Sequence, residues 1–219
     1  MEHNSILLVG GGGHCHSVID SIAIEGCYER IGVVAKNGSN FVELQKDGQI
    51  SEYLVGIDNE LELLYKAGWK LAFVSLGSIG NTAVRRNIFM NLKQIGYGLP
   101  VIVDPSAIIG RNTIIGAGTY VGKRAVVNSG TVIGEGAIIN SGALVEHDCI
   151  IGDFVHISPG ATVCGGVRIG NDSHVGASSV IRQSIRIGQK SIVGIGSVVV
   201  SDLPDNVTAF GNPCRVEQI

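Results

Sequence analysis

Between Val103 and Val199 every sixth residue is Val or Ile, without exception, over seventeen successive positions. The residue after each is often Gly, as at Gly110, Gly116, Gly122, Gly134, Gly152 and Gly170. Four residues after each stands something mostly small, such as Ala107, Thr119, Ala137, Ala161 or Ser179. A helix cannot use this period, because successive apolar residues would step round its cylinder by about 120° and form no stripe. Short strands joined by tight corners can use it. A strict short repeat is the signature of a stacked solenoid, in which each repeat buries its apolar residue against its neighbours. These Val and Ile positions are therefore expected to be core.

Upstream the pattern changes. Ser5–Val9 is a short apolar run that feeds Gly10-Gly11-Gly12-Gly13, so a buried strand and a glycine turn are expected. Apolar residues at helical spacing follow over His14–Glu25, with Gly26 as C-terminal cap. Ile31–Ala35 reads as a second strand and Lys36–Gln49 as a polar loop. Asp58-Asn59 can cap a helix running to Ala67. Leu71–Leu76 reads as a third strand, and Asn81 can cap a helix reaching Gly96. Strands alternating with helices predict a small parallel α/β domain over residues 1–103. The solenoid then occupies 104–219, from Asp104-Pro105 onward.

Composition narrows the function. A net charge of -3 and an aromatic content of 5% leave neither the basic footprint nor the stacking platforms of a nucleic-acid-binding protein. The longest apolar runs are too short to span a membrane. Met1-Glu2-His3-Asn4 lacks a basic segment before a long apolar one, so the start reads as cytoplasmic. Five scattered cysteines without a C-x-x-C fit reduced thiols better than a disulfide frame or a structural zinc site.

A glycine turn between a strand and a helix gathers backbone N–H groups at a helix N-terminus, where phosphate is favoured. The dinucleotide pattern G-x-G-x-x-G fails in both registers, at Cys15 and at His16, and no acid ends the second strand. A nucleotide-linked sugar remains, as does a turn that serves packing alone. His147 stands between Glu146 and Asp148, where a carboxylate can fix its tautomer for general-base work. A solvated, chemically idle turn is the other reading of the same residues.

The period-six stretch resembles the hexapeptide repeat of the left-handed parallel β-helix. That fold implies three hexads per coil, so residues eighteen apart stack. His147 should then lie beneath Gly165, a position without a side chain whose N–H suits an oxyanion. A plain corner is the alternative for Gly165-Gly166. Gly10-Gly11-Gly12-Gly13-His14 joined to such a helix resembles the bacterial sugar acyltransferases that modify nucleotide-linked amino sugars, and the related sialic-acid O-acetyltransferases.

The resemblance implies a site. Gly12, Gly13, His14 and Cys15 would hold the sugar nucleotide. Lys36-Asn37 stands where the family carries an acidic pair, and Lys36 takes that place. His147 becomes the proton acceptor and Asp148 the group that raises its basicity, with Glu146 the alternative orienter. Adjacent residues of a strand point apart, so Asp148 reaches His147 only if the backbone bends there. The resemblance further assigns His156, Gly165, Ala177 and Ile195 to acetyl-coenzyme A. Gly211-Asn212-Pro213-Cys214-Arg215 resembles the family's ending, placing Pro213 beside the cofactor, and the tail also caps the solenoid. His156 and His174, eighteen apart, should stack. No metal is expected, because the close His pair of β-helical carbonic anhydrases has no counterpart.

The expected protein is a cytoplasmic homotrimer that N-acetylates a nucleotide-linked amino sugar with acetyl-coenzyme A. O-acetylation of sialic acid or a related sugar, and a non-catalytic sugar-nucleotide-binding trimer, are the alternatives.

Overall fold

The computed structural model describes residues 5–35, 51–56 and 60–217, with 51–56 as backbone. The chain divides into two compact units, Met1–Gly77 with Ala83–Ile102, and Ser78–Thr82 with Val103–Ile219. The short return of 78–82 to the second unit has no signal in the sequence pattern.

The first unit carries β1 (Ser5–Val9), α1 (Gly13–Glu25), β2 (Arg30–Val34), β3 (Ser51–Gly56), α2 (Leu61–Lys66), β4 (Leu71–Val74) and α3 (Ala83–Ile95). The sheet is parallel, in the order β3-β2-β1-β4. Leu7, Val9, Val34 and Ala72 of the sheet share one core with Leu61 of α2, Leu92 of α3, Trp69 and Tyr97. Tyr97 is held there because its hydroxyl donates to Leu61 O at 2.7 Å. Gly26 ends α1 as expected, left-handed at φ 69, its N–H donating to Ile22 O. The strand β3 went unread in the sequence. The loop expected over 36–49 and the cap expected at 58–59 lie outside the described residues. The last helix begins at Ala83, two residues past Asn81.

The second unit is a left-handed parallel β-helix of about six coils. Its strands are two residues long and recur every six, from Ile102–Val103 to Val198–Val199. They stack into three parallel sheets with partners eighteen residues apart, as in Val145↔Val163 and Ile151↔Ile169. Inward aliphatics from Val121 to Val199 form one continuous buried column. At roughly 1.5–3 kcal/mol for each buried side chain, that column is the main source of the unit's stability. The expectation of an unbroken core fails at the start. Ile109 is 37% exposed and Ile115 only half-buried, because the first coil lacks a coil beneath it. The other end is closed: Leu203, Ala209 and Cys214 are buried, the last two in an antiparallel hairpin of Thr208–Gly211 and Cys214–Val216.

Thr131 and Ser173 survive burial at the corners because each hydroxyl is satisfied twice. Thr131 Oγ1 donates to Glu146 O at 2.9 Å and accepts from Cys149 N at 3.2 Å. Ser173 does the same with Gly188 O and Ser191 N. Burying such a hydroxyl without partners costs about 1–3 kcal/mol.

Candidate active site

Thr131 brackets the corner that carries His147. Between its two bonds lie Glu146, His147 and Asp148, on the edge where the Leu144–Val145 sheet turns into the Ile150–Ile151 sheet. The backbone does bend there. Asp148 is left-handed at φ 58, at a corner position where Asn112 and Ser184 are left-handed too. The bend swings its carboxylate round, and Asp148 Oδ2 lies 2.8 Å from His147 Nδ1. A carboxylate accepts, so Nδ1 carries the proton and Nε2 is left unprotonated. Glu146 does not reach the ring; its Oε2 accepts from the His147 backbone N–H at 3.4 Å.

Both side chains face water, with 62% of the His147 side chain and 73% of the Asp148 side chain exposed. The imidazole is nonetheless more basic than an ordinary histidine. Its hydrogen bond to Asp148 is the first cause, and the negative charges of Asp148 and Glu146 add to it.

Gly165 sits over this ring. A Cβ built at Gly165 would fall 2.6 Å from His147 Nε2 and 2.8 Å from Cε1, so the missing side chain is what lets Nε2 lie there. Gly165 O accepts from Ser184 N, and Gly166 N donates to His147 O at 2.9 Å. The Gly165 N–H has no acceptor among the described residues. On the next edge the equivalent N–H groups are capped, Glu135 N by Asp153 and Asp153 N by Asn171.

The other expected residues are not gathered at this corner. His156 lies on the face opposite the His147 edge and is buried, with both nitrogens engaged. Its Nδ1 is 2.8 Å from Ser78 O, so Nδ1 donates and Nε2 accepts from Asn140 Nδ2 at 3.1 Å. His174 stacks on it as expected, edge to face with ring centroids 5.0 Å apart. Burial pushes the His174 imidazole toward its neutral form. Ala177 and Ile195 stack on a third place, the edge after His174–Val175, where Gly196 N donates to Ala177 O and Ile195 stands exposed. Pro213 is exposed in the terminal hairpin.

In the first unit the glycine turn ends β1, beside the end of β4. Sheets of this kind bind ligands at such a point, outside the carboxyl ends of strands whose connections run to opposite sides. Gly10, at φ 117, is pressed against Leu76: a Cβ there would meet the Leu76 side chain at 2.5 Å. Ser75 Oγ donates to Gly10 O at 2.6 Å and pins the two loops together. Gly12 and Gly13 open α1 with space around them; a Cβ at either meets nothing within 4 Å. His14 is held neutral, its pKa lowered to about 4 by burial and then by the Arg85 charge. Cys15 points its side chain into the core and bonds Gly12 O through its N–H. Lys36 lies outside the described residues.

This pairing of a nucleotide-type turn with a period-six prism defines a class, the hexapeptide-repeat transferases. Hexapeptide patterns match residues 148–183, and those of the succinyl-transferase repeat match 106–147 and 166–201. The PglD N-terminal domain pattern matches residues 5–92. The chain is 33% identical to the acetyltransferase domain of PglB from Neisseria gonorrhoeae, covering 98% of this chain and 100% of that one, with a TM-score of 0.88. That domain is also known in complex with acetyl coenzyme A. A histidine variant of perosamine N-acetyltransferase from Caulobacter crescentus, in complex with CoA and GDP-perosamine, is 30% identical over 98% of this chain and 97% of that one, with a TM-score of 0.89. No curated protein sequence matches. The chain belongs to the sugar acetyltransferase family of the hexapeptide superfamily.

Proposed function

We propose that the protein transfers the acetyl group of acetyl-coenzyme A to the amine of a nucleotide-linked amino sugar. The observation that carries this reading is the His147 corner: an exposed imidazole, gripped at Nδ1 by Asp148, with Nε2 free beneath a glycine. The residues suit a thioester substrate. Gly165 adds no side chain above the base and offers an unused N–H, and the edge needs no metal to work.

In the transfer the neutral sugar amine attacks the thioester carbonyl. A C–N bond forms, the C–S bond breaks, and His147 Nε2 takes the proton that the nitrogen must lose. Asp148 stabilises the imidazolium, and the Gly165 N–H donates to the oxyanion of the tetrahedral stage. The imidazolium then returns its proton to the departing thiolate, so the enzyme ends unchanged. The first unit holds the nucleotide: Gly12 and Gly13 give the phosphates open backbone N–H groups at the N-terminus of α1, and neutral His14 adds a hydrogen-bonding group. Lys36 is assigned to the same substrate.

The working form is a homotrimer. One chain sets Gly165 and the Ala177–Ile195 pair on different edges, which flank the same face. Along that face the outward residues are Ile108, Val126, Leu144, Thr162, Val180 and Val198, uncharged from end to end. Packing these faces about a threefold axis brings the His147 edge of one chain against the Ala177–Ile195 edge of the next, and encloses the pantetheine arm between them. His156 and Pro213 remain assigned to the cofactor through that neighbouring arrangement. Free thiols at all five cysteines suit the cytoplasm.

The test is acetyl transfer with UDP-, GDP- and dTDP-linked amino sugars, read as thiol release and as acetylated product. An amide product with one of these sugars is the expected result. Ester formation on hydroxyl sugars alone, or no affinity for coenzyme A, would overturn the reading.

A further inference from the structure

The His147 corner is shaped from below as well as from above. Although 73% of the Asp148 side chain is exposed, one carboxylate oxygen lies against the coil beneath. The residue it meets, eighteen positions earlier, is Gly130. A Cβ built at Gly130 would lie 2.6 Å from Asp148 Oδ1. The other carboxylate oxygen, Oδ2, is the one that accepts from His147 Nδ1.

The same corner geometry recurs at two other glycines without this tightness, whereas at Gly136 a Cβ would meet the Phe154 ring at 2.6 Å. Gly166 lies beneath Ser184 and Gly160 beneath Ser178, and Cβ atoms there would stand 3.6 and 3.7 Å from the seryl Oγ atoms, an ordinary contact. Left-handed backbone is not what demands glycine at 130. Gly130 has φ 73, and Asn112, Asp148 and Ser184 in the same vertical row carry side chains at φ 57 to 59. What distinguishes Gly130 is the carboxylate resting on it.

We infer that Gly130 is a positioning residue for the transfer: having no side chain, it lets the Asp148 carboxylate lie against the lower coil and grip the imidazole of the base. The inference rests on the reading of His147 as base. Gly165 clears the space above Nε2, and Gly130 clears the space below the group that holds Nδ1. The dyad therefore depends on two glycines thirty-five residues apart in sequence, on the coils directly below and directly above its own. Around His147 the titrating neighbours are Asp148 and Glu146 on its own corner. The coils above and below present Gly165, Gly166, Ser129 and Gly130, none of which titrates. Behind the corner Cys149 is buried, and burial keeps its thiol neutral.

Gly130→Ala is compared with Gly142→Ala and Gly160→Ala. These two controls sit at φ 65 and φ 66 with open space or an ordinary contact, so they impose the same backbone strain without touching a carboxylate. His147 is followed by NMR titration of its ring, identified by its loss in His147→Ala, and kcat is measured alongside. Gly130→Ala is expected to lower the His147 pKa and kcat to the levels of Asp148→Asn, while the His147 pKa of both controls stays at its wild-type value. In the Asp148→Asn background Gly130→Ala should change neither quantity further, since its whole effect passes through Asp148. An unchanged His147 pKa in folded Gly130→Ala, an equal fall in the controls, or a further fall in the double variant would overturn the inference. If the pKa falls and kcat does not, Gly130 still positions the dyad, and the reading of His147 as base is what fails.

Discussion

Adding one methyl group at Gly165 should disable the base without unfolding the protein. The alanine Cβ would lie 2.6 Å from His147 Nε2, whereas ordinary contact begins at 3.4 Å. The ring must therefore retreat by at least 3.4 − 2.6 = 0.8 Å. Nothing prevents the retreat, because the His147 side chain is 62% exposed. The backbone of Gly165 is not among those with positive φ, so alanine adds no conformational strain. Stability should barely change, by about 0.5 kcal/mol or less, as for other surface substitutions. Catalysis is far less tolerant, since a misplacement of about 1 Å costs about 100-fold. At 1.36 kcal/mol for each tenfold, that is about 2.7 kcal/mol of transition-state stabilisation. The assay is kcat for thiol release from acetyl-coenzyme A with the accepted sugar nucleotide, together with thermal melting of the same sample. A folded Gly165→Ala enzyme with wild-type kcat would refute the reasoning. So would a rate loss that merely tracks a fall in melting temperature.

Three further outcomes follow from the same geometry. The base works only when neutral, and its pKa is raised above 6.5 mainly by the Asp148 hydrogen bond; kcat/KM should therefore fall as pH drops through a value above 6.5, and Asp148→Asn should move that limb to lower pH, which a pH–rate profile reads. Ile151 is buried in the solenoid column, so Ile151→Ala should cost about 2–5 kcal/mol in chemical denaturation, and a loss below about 1 kcal/mol would contradict the packing account. Val180 is 39% exposed on the uncharged face proposed to pack in a trimer, so Val180→Lys should leave a folded chain whose mass by light scattering falls from the three chains proposed toward one; an unchanged mass would contradict packing through this face.

The solenoid was almost fully legible in the sequence because each coil repeats one local rule, and a rule that fixes residues eighteen apart also fixes what lies above what. The stacking of His147 under Gly165, and of His156 under His174, follows from counting once the resemblance supplies three hexads per coil. What counting missed belongs to ends and backbone angles. Ile109 keeps the pattern yet is exposed, because burial needs a neighbour on both sides. The choice between Asp148 and Glu146 turned on a left-handed φ at 148, which a strand-based rule of alternating faces does not anticipate. Gly130 carried no signal of its own, as glycine is common at these corners and its effect lies on the next coil. In the first unit, β1, α1 and β2 followed from apolar periodicity, whereas Ser51–Gly56 was hidden in a short run that periodicity alone does not separate from a loop. The return of 78–82 to the second unit rests on contacts such as Thr82 Oγ1 to Asp172, ninety residues away, which no local pattern reveals.

The central claim is that the 147 imidazole accepts the proton of the attacking amine. It is tested most directly by the single-turnover rate of acetyl transfer in His147→Ala, with trimer and both substrates verified as bound. The account requires a loss of about 100-fold to 10,000-fold, the usual contribution of a positioned general base. A rate equal to wild type in that saturated complex would contradict it.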